Sequence, residues 1–214
     1  MKLLVTAFEP FGGEKINSAQ EALRSVPDQI NGAEIVKTCL PVVFGRSMEM
    51  LREVIRREKP DAVLCLGQAG GRSALTPERI AINLNDARLP DNDGQQPVDE
   101  LIFPDGPDAY FTTLPVKSMV NAIRDAGLPA EVSNSAGTYV CNQLIYGLMY
   151  FISHEFPAVR GGFLHLPYLD VQAAEHPGDP GLPCQDLTRG IIAAIKAITG
   201  TIRSPESGNL HKSV

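Results

Sequence analysis

The spacing of apolar residues along the chain changes repeatedly between short extended runs and helical periods. Continuous or alternating apolar runs predict strands over residues 2–6, 33–44, 61–66, 77–84 and 161–167. Apolar residues three and four positions apart predict helices over residues 17–24, 46–57, 115–126, a segment that ends near 154, and 186–198. Strands that alternate with helices predict a single α/β domain, with a three-layer α/β/α fold and a largely parallel, twisted sheet flanked by helices.

Three of these segments carry more specific predictions. Asn17 is a favourable N-cap for the first helix. The strand over residues 77–84 alternates polar and apolar side chains, which is typical of a strand with one face in water. The helix that ends near 154 is apolar almost all round, so we expect it to lie at the centre of the fold.

The remaining stretches have no regular apolar pattern. Residues 85–106 are rich in Asp, Asn, Pro and Gly and predict a loop of a length that is usually functional or mobile in a compact domain. Residues 171–183 predict a second loop. Since no repeat or linker divides the chain, we expect one domain over residues 1–214, in which residues 201–214 form a polar, frayed tail.

Composition narrows the class of protein. The chain has 214 residues, of which 43% are hydrophobic and 21% charged, as in an ordinary soluble globular protein. A net charge of −6 argues against binding to nucleic acid or to anionic membranes. No apolar run is long enough to span a bilayer, and the apolar N-terminus is interrupted at residue 9, too early for a signal peptide.

Four cysteines are present, and their spacing limits what they can do. They are far apart, form no C-x-x-C pair and have no histidine close by in the sequence: Cys39, Cys65, Cys141 and Cys184. This pattern argues against a zinc site and against a small disulfide framework. Reduced thiols in the cytoplasm are the simplest interpretation.

Cys141 is the candidate nucleophile because of its position. It falls in the predicted first turn of the apolar helix, after a run of small and polar residues. Unpaired backbone N–H groups and the helix dipole favour negative charge there, so the thiol is expected to ionise readily to the nucleophilic thiolate. The alternative is a buried structural cysteine, which is the commoner fate of a free thiol.

A cysteine nucleophile requires a base, and His165 is the best placed of the four histidines. It lies at the end of an apolar strand, where it can face the same crevice as the start of the Cys141 helix. The alternative is a core histidine with satisfied hydrogen bonds. A carboxylate usually orients such a base, and the sequence does not choose among four candidates: Glu78, Asp86, Asp91 and Asp170.

A glycine-rich turn follows the strand over residues 61–66. The turn, GQAGGR at 67–72, could hold a phosphate at a helix start. It lacks the spacing of the dinucleotide and P-loop motifs, so a tight turn is the favoured interpretation.

Five segments, in this order, resemble the motifs of the pyroglutamyl peptidase I family, also called pyrrolidone carboxyl peptidase. They are TAFEPFGG at 6–13, GQAGGR at 67–72, PERIAIN at 77–83, SNSAGTYVCN at 133–142 and HLPY at 165–168. Together they cover the chain from Thr6 to about Ile198. The sequence departs from the usual family pattern at Ala7, where Gly is common, and at Ser18, where Pro is common.

The resemblance implies a cytosolic cysteine exopeptidase that removes N-terminal pyroglutamate (5-oxoproline) from peptides through a thioester. By motif, Cys141 is the nucleophile, His165 the general acid/base and Glu78 the carboxylate that orients it. The reaction requires no metal or cofactor, and backbone amides near the start of the Cys141 helix can serve as the oxyanion hole. The family commonly forms homo-oligomers, often tetramers.

The resemblance also implies substrate-binding residues, all of which can alternatively belong to the core or to solvated loops. Aromatic walls and a few hydrogen bonds suit a small, flat lactam without a charged amine. The implied wall residues are Phe8, Phe11 and Tyr139, the implied hydrogen-bonding residues are Asn17 and Gln68, and Arg88 is placed near the catalytic centre.

Two other functions are compatible with the same residues. One is a small-ligand binding domain, or an inactive relative that keeps the fold. The other is a phosphate or nucleotide enzyme that uses the turn at 67–72. The intact set of Cys141, His165 and Glu78 argues against the first, and absence of tight phosphate or nucleotide binding would exclude the second.

Overall fold

The structure is a computed structural model that describes residues 1–203, and within this range the chain forms ten strands and six helices. The strands are β1 Lys2–Phe8, β2 Gln29–Ile30, β3 Ala33–Leu40, β4 Ala62–Gln68, β5 Thr76–Glu78, β6 Ile80–Ile82, β7 Ala109–Phe111, β8 Arg160–Leu166, β9 Tyr168–Leu169 and β10 Gly181–Leu182. The helices are α1 Ser18–Arg24, α2 Arg46–Glu58, α3 Val116–Asp125, α4 Val140–His154, α5 Asp170–Ala173 and α6 Cys184–Arg203.

Six strands form the central sheet, in the order β2-β3-β1-β4-β8-β5. The four inner strands β3, β1, β4 and β8 are parallel, and the short edge strands β2 and β5 run antiparallel to their neighbours. Parallel strands end at the same edge of a sheet, so the loops after β1, β4 and β8 meet there. The glycine-rich turn and the segment after His165 therefore lie at one edge.

Helices cover both faces of this sheet. Helices α1, α3 and α6 bury one apolar cluster, which includes Leu3, Leu64 and Ile195. Helices α2 and α4 bury the other, and α4 is enclosed on nearly all sides, as its sequence predicted. The prediction of a three-layer fold with a largely parallel sheet is confirmed.

Most predicted elements are present with small shifts at their ends, but one strand is shorter than predicted. The prediction for residues 33–44 is wrong beyond Leu40, where β3 ends. The next residues turn away because the backbone N–H of Phe44 donates to Asp91 Oδ2 at 2.8 Å. The N-cap prediction is confirmed, since Asn17 Oδ1 accepts from the N–H groups of Ala19 and Gln20 at 3.0 and 3.4 Å.

The segment over residues 77–84 differs from its prediction in a way that bears on the site. It forms two strands, β5 in the central sheet and β6 in a separate pair with β7. Its polar residues Glu78 and Asn83 are buried, whereas Ile82 is exposed. Polarity was misleading here because both buried side chains have internal hydrogen-bond partners.

Asn83 holds the long loop over residues 85–106 against the domain. Its Oδ1 accepts from the N–H groups of Ile102 and Phe103 at 2.9 Å, and its Nδ2 donates to the carbonyl of Phe103 at 2.7 Å. Asp91 anchors the other half of the loop by accepting from Gln95 N–H at 2.8 Å. The loop therefore has a defined path over the start of α4.

The C-terminal part is more regular than predicted. The predicted loop over residues 171–183 contains part of α5 and the strand β10, and α6 extends from Cys184 through residue 203. Residues 204–214 of the predicted frayed tail lie outside the described residues. Within the described part of the chain, none of the helices has the length and apolar character required to cross a membrane.

Candidate active site

The start of α4 carries Cys141. It is the second residue of the helix, and the helix start is fastened to the neighbouring β6 segment by Asn142. The Asn142 side chain accepts from Ile82 N–H at 3.0 Å and donates to the carbonyls of Ile82 and Leu84 at 2.9 and 3.0 Å. These bonds fix the position of the Cys141 backbone relative to the sheet edge.

His165 and Glu78 form a buried pair on neighbouring strands. Antiparallel pairing of β5 with β8 places Glu78 two positions from the residue opposite His165, so both side chains share one face. The distance from His165 Nδ1 to Glu78 Oε1 is 2.7 Å, and both residues are almost fully buried. An ionised carboxylate only accepts, so Nδ1 carries the proton and Nε2 is a free base.

Arg72 completes this arrangement and was missed as a site residue. It lies at the end of the glycine-rich turn, and its Nη1 donates to Glu78 Oε1 at 2.8 Å. Its Nη2 donates to the carbonyl of Ser135 at 3.1 Å, in the segment that leads to Cys141. The only indication of this role in the sequence was the motif over residues 67–72, which ends in Arg72. The turn places the Arg72 guanidinium against the buried carboxylate of Glu78. This role differs from the phosphate binding that the sequence left as an alternative.

Burial and charge act in opposite directions on Glu78 and on His165. Burial alone would raise the pKa of Glu78, but the bond and charge of His165, with contributions from Ser133 and Arg72, hold it below its ordinary value. Burial lowers the pKa of His165 below its ordinary value although the Glu78 charge opposes this. The carboxylate is therefore ionised and the imidazole neutral near pH 7.

The thiol of Cys141 is harder to ionise than its sequence position suggested. Although the residue is only half-buried, desolvation of the thiol raises its pKa to about 12; the Glu78 charge adds to this and Arg72 opposes it. The expectation of a readily ionised thiol is therefore wrong for this structure. The free energy by which desolvation destabilises the thiolate exceeds the free energy by which the helix start stabilises it.

Glu78 and Arg72 influence the pKa of both Cys141 and His165, so the thiol and the imidazole share one electrostatic environment. Within residues 1–203 no hydrogen bond joins Cys141 Sγ to His165. Catalytic hydrogen bonds often tighten only when substrate binds. The pair can therefore work as a neutral thiol and a neutral base, with the proton transferred as the thiol attacks.

Aromatic side chains lie beside the nucleophile. The ring of Tyr139, two residues before Cys141, is 6.1 Å from that of Phe11 and meets Phe44 edge-on at 5.4 Å, measured between centroids. Phe8 is buried in the same apolar cluster. The structure thus brings together the predicted aromatics and adds Phe44, which was missed because its segment was interpreted as strand.

The predicted polar contacts to substrate fare differently. Gln68 is buried at the end of β4, and its Oε1 accepts from Ser18 N–H at 2.8 Å. Asn17 is 0% exposed, and besides capping α1 its Nδ2 donates to the carbonyl of Glu9 at 3.2 Å. Both polar atoms of Asn17 thus have protein partners, and a substrate contact by Asn17 stays a prediction.

The placement of Arg88 near the catalytic centre stays a prediction. Its side chain is exposed, and it forms no hydrogen bond or ion pair within the described residues. The four cysteines, all within the described range, form no disulfide within the chain, and Cys184 is half-buried.

Comparison with known proteins identifies close relatives. A family model described as pyroglutamyl peptidase matches residues 1–201. The pyrrolidone-carboxylate peptidase of Lactobacillus johnsonii is 52% identical over 214 residues, which cover 98% of this chain and 100% of the relative. Pyrrolidone-carboxylate peptidase 1 of Streptococcus pneumoniae is 56% identical over 198 residues, which cover 92% of each chain.

Solved structures agree with the sequence comparison. Pyroglutamyl peptidase I from Bacillus amyloliquefaciens superposes with a TM-score of 0.89 at 45% identity, over 93% of this chain and 97% of that one. A mutant pyrrolidone carboxyl peptidase from Pyrococcus furiosus has a TM-score of 0.90 at 39% identity, over 94% of this chain and 100% of that one. The fold of these enzymes is therefore the fold of this chain.

Proposed function

The chain belongs to the pyroglutamyl peptidase family, and we propose that it hydrolyses the peptide bond after an N-terminal pyroglutamyl residue, with Cys141 as the nucleophile. The observation that carries this proposal is the buried His165–Glu78 pair, which shares its electrostatic environment with a cysteine at a helix start. These are the parts that nucleophilic catalysis by a thiol requires.

Attack begins with both partners neutral. His165 Nε2 takes the thiol proton as Cys141 Sγ bonds to the scissile carbonyl carbon, and the carbonyl oxygen becomes an oxyanion. The buried carboxylate of Glu78, 2.7 Å from Nδ1, stabilises the imidazolium that forms. Arg72 keeps Glu78 ionised and in place throughout.

The thioester forms and is hydrolysed by the same base. The imidazolium gives its proton to the leaving amine, and the C–N bond breaks. A water molecule, deprotonated by His165, then attacks the thioester and releases pyroglutamate and the Cys141 thiol. Protein groups supply every proton transfer in this sequence.

Backbone amides at the start of α4 stabilise the oxyanion. N–H groups in the first turn of a helix have no partners within the helix, and the helix dipole favours negative charge there. A donor aimed at such an oxygen is typically worth about 3 kcal/mol in the transition state. Asn142 holds this turn against β6, so the donors are fixed before substrate binds.

The pocket for the lactam ring is built from the aromatic group. The rings of Phe11 and Phe44 pack on the ring of Tyr139, two residues before Cys141. Phe8 lies in the buried cluster against which Phe11 and Tyr139 pack. Pyroglutamate has no charged amine, so its ring loses little on entering an apolar site if its polar groups are bonded. The Nε2 of Gln68 is the donor that we assign to the ring carbonyl.

Location and assembly follow from the family resemblance. We propose that the protein acts in the cytoplasm as a homo-oligomer, with a tetramer as the expected form, on free peptides that begin with pyroglutamate. The free thiol of the exposed Cys39 is consistent with a reducing compartment.

The proposed activity is tested with two chromogenic amides that differ only in the ring. The pyroglutamyl amide should be cleaved, whereas the prolyl amide should not, because its ring carries a positive charge and lacks the carbonyl acceptor. Equal cleavage of both would contradict the lactam pocket. No cleavage by folded, reduced protein would favour a small-ligand binding domain instead.

A further inference from the structure

Two buried glutamine amides form a chain at the carboxyl end of β4. Gln68 and Gln172 are 6% and 3% exposed, and Gln172 Nε2 lies 2.9 Å from Gln68 Oε1. Gln172 belongs to α5, in a segment that the sequence predicted to be a loop. The mechanism described above does not use it.

The orientation of the Gln172 amide is determined by backbone groups. Its Oε1 accepts from Leu169 N–H at 3.1 Å. The two hydrogens of its Nε2 are shared among three acceptors: Glu14 Oε2 and Gln68 Oε1, each at 2.9 Å, and the carbonyl of Ile16 at 3.2 Å. A backbone N–H can only donate and a carbonyl can only accept, so exchanging the two ends would break these bonds. Nε2 must therefore face Gln68.

The same reasoning determines the orientation of Gln68. Its Oε1 accepts from two donors, the backbone N–H of Ser18 at 2.8 Å and Nε2 of Gln172. If the amide turned over, its Nε2 would face both donors, and these two hydrogen bonds would be replaced by repulsive contacts. In the observed orientation Nε2 donates to no acceptor within residues 1–203, so it is available to a ligand.

We propose that Gln172 is a positioning residue for substrate specificity: it locks the Gln68 amide so that Nε2 donates to the carbonyl of the pyroglutamyl ring. Gln68 lies at the carboxyl end of β4, and its oxygen is bonded to the start of α1, which follows the loop that carries Phe11. The inference rests on the proposed function, because it assigns a ring carbonyl as the acceptor.

A pair on the outer side supports Gln172. Glu14 accepts from Gln172 through one oxygen and contacts His176 Nε2 through the other at 2.5 Å. The His176 ring stacks on Tyr168 with centroids 4.8 Å apart. These contacts hold the α5 segment against the loop after β1, and they restrain the side chain of Gln172.

Replacing Gln172 by methionine tests this role, because methionine keeps the approximate volume and removes the donor. The Gln68 amide then loses one of two donors on its oxygen and can turn over. We expect KM for the pyroglutamyl amide to rise about tenfold, with kcat within about twofold of wild type. The rate at which iodoacetamide alkylates Cys141 should not change, since that reaction makes no use of the lactam pocket.

Gln20→Met is the matched control. Gln20 is a glutamine of α1 whose Nε2 donates to Cys39 Sγ at 2.9 Å. Its KM should equal that of wild type. An unchanged KM in folded Gln172→Met, or a loss confined to kcat, would overturn the inference. Absence of activity in wild type would instead refute the proposed function.

A second variant keeps the test decisive if Gln172→Met does not fold. Gln68→Glu retains an acceptor for both Ser18 N–H and Gln172 Nε2, but places a carboxylate oxygen where Nε2 was. KM should rise at least tenfold while the melting temperature is retained, and an unchanged KM would overturn the inference. Combining Gln68→Glu with Gln172→Met should raise KM no further, because both act through one amide; additive losses would contradict this.

Discussion

Replacing Cys141 by alanine is expected to reduce kcat for a pyroglutamyl amide by a factor of about 10⁴ or more. Cys141 is the only thiol of α4, and a water molecule held by His165 is a poor substitute for covalent attack. Cys141→Ser should lose nearly as much, because a hydroxyl is a weaker nucleophile than a thiol. Steady-state rates of amine release measure both variants.

Cys39→Ala is the control for loss of a thiol elsewhere. Cys39 is exposed and lies at the end of β3, away from the His165–Glu78 pair. Its activity should match wild type, and circular dichroism should show all three variants folded. Activity within tenfold of wild type in folded Cys141→Ala would show that Cys141 is not the nucleophile.

Replacing Glu78 by glutamine is expected to lower kcat by a factor of about 10³ to 10⁴ with little change in KM. The neutral amide no longer stabilises the imidazolium. Its NH₂ group can also face Nδ1, and that would place the imidazole proton on Nε2, where the base is needed. The measurement is kcat for the pyroglutamyl amide, together with the melting temperature.

Glu155→Gln provides the matched control for losing a carboxylate paired with arginine. Glu155 follows α4 and accepts from Arg52 and Arg56 at 2.5 and 2.6 Å, outside the site. Its kcat should remain at the wild-type value. If Glu78→Gln retained wild-type kcat while folded, the buried pair would be structural and His165 would have another orienting group.

Much of the scaffold follows from local pattern alone. Apolar periodicity predicted the inner strands and the main helices, and small polar residues before an apolar run located Cys141 at the start of α4. Asn17 was identified as a helix cap from its residue type. These features depend on neighbours within a few residues, and the sequence contains that information directly.

Long-range pairing decided the rest. Four carboxylates qualified as the partner of His165, and only the antiparallel placement of β5 beside β8 selects Glu78. Asp91 instead binds loop backbone. Gln172 contacts Glu14 and Gln68, which are distant in sequence, and Arg72 joins Glu78 to the carbonyl of Ser135, 63 positions along the chain. No local pattern predicts such contacts.

The ionisation of Cys141 shows where a local rule was outweighed. A helix start favours a thiolate, but desolvation and the nearby charge of Glu78 favour the thiol more strongly. Glu78 lies on β5, which is distant from Cys141 in the sequence. For the mechanism, this means that His165 removes the thiol proton during attack. A thiolate–imidazolium ion pair is then not formed before the substrate is attacked.

Trapping the 5-oxoprolyl thioester on Cys141 tests covalent catalysis by this residue. Wild-type protein is mixed with an activated pyroglutamyl ester, quenched in acid within the first turnovers, digested and analysed by mass spectrometry. We expect one 5-oxoprolyl group, on the peptide that contains Cys141, and no prolyl group on that peptide after reaction with the prolyl ester. A 5-oxoprolyl group on a different cysteine, or continued turnover without any acylated peptide, would contradict covalent catalysis by Cys141.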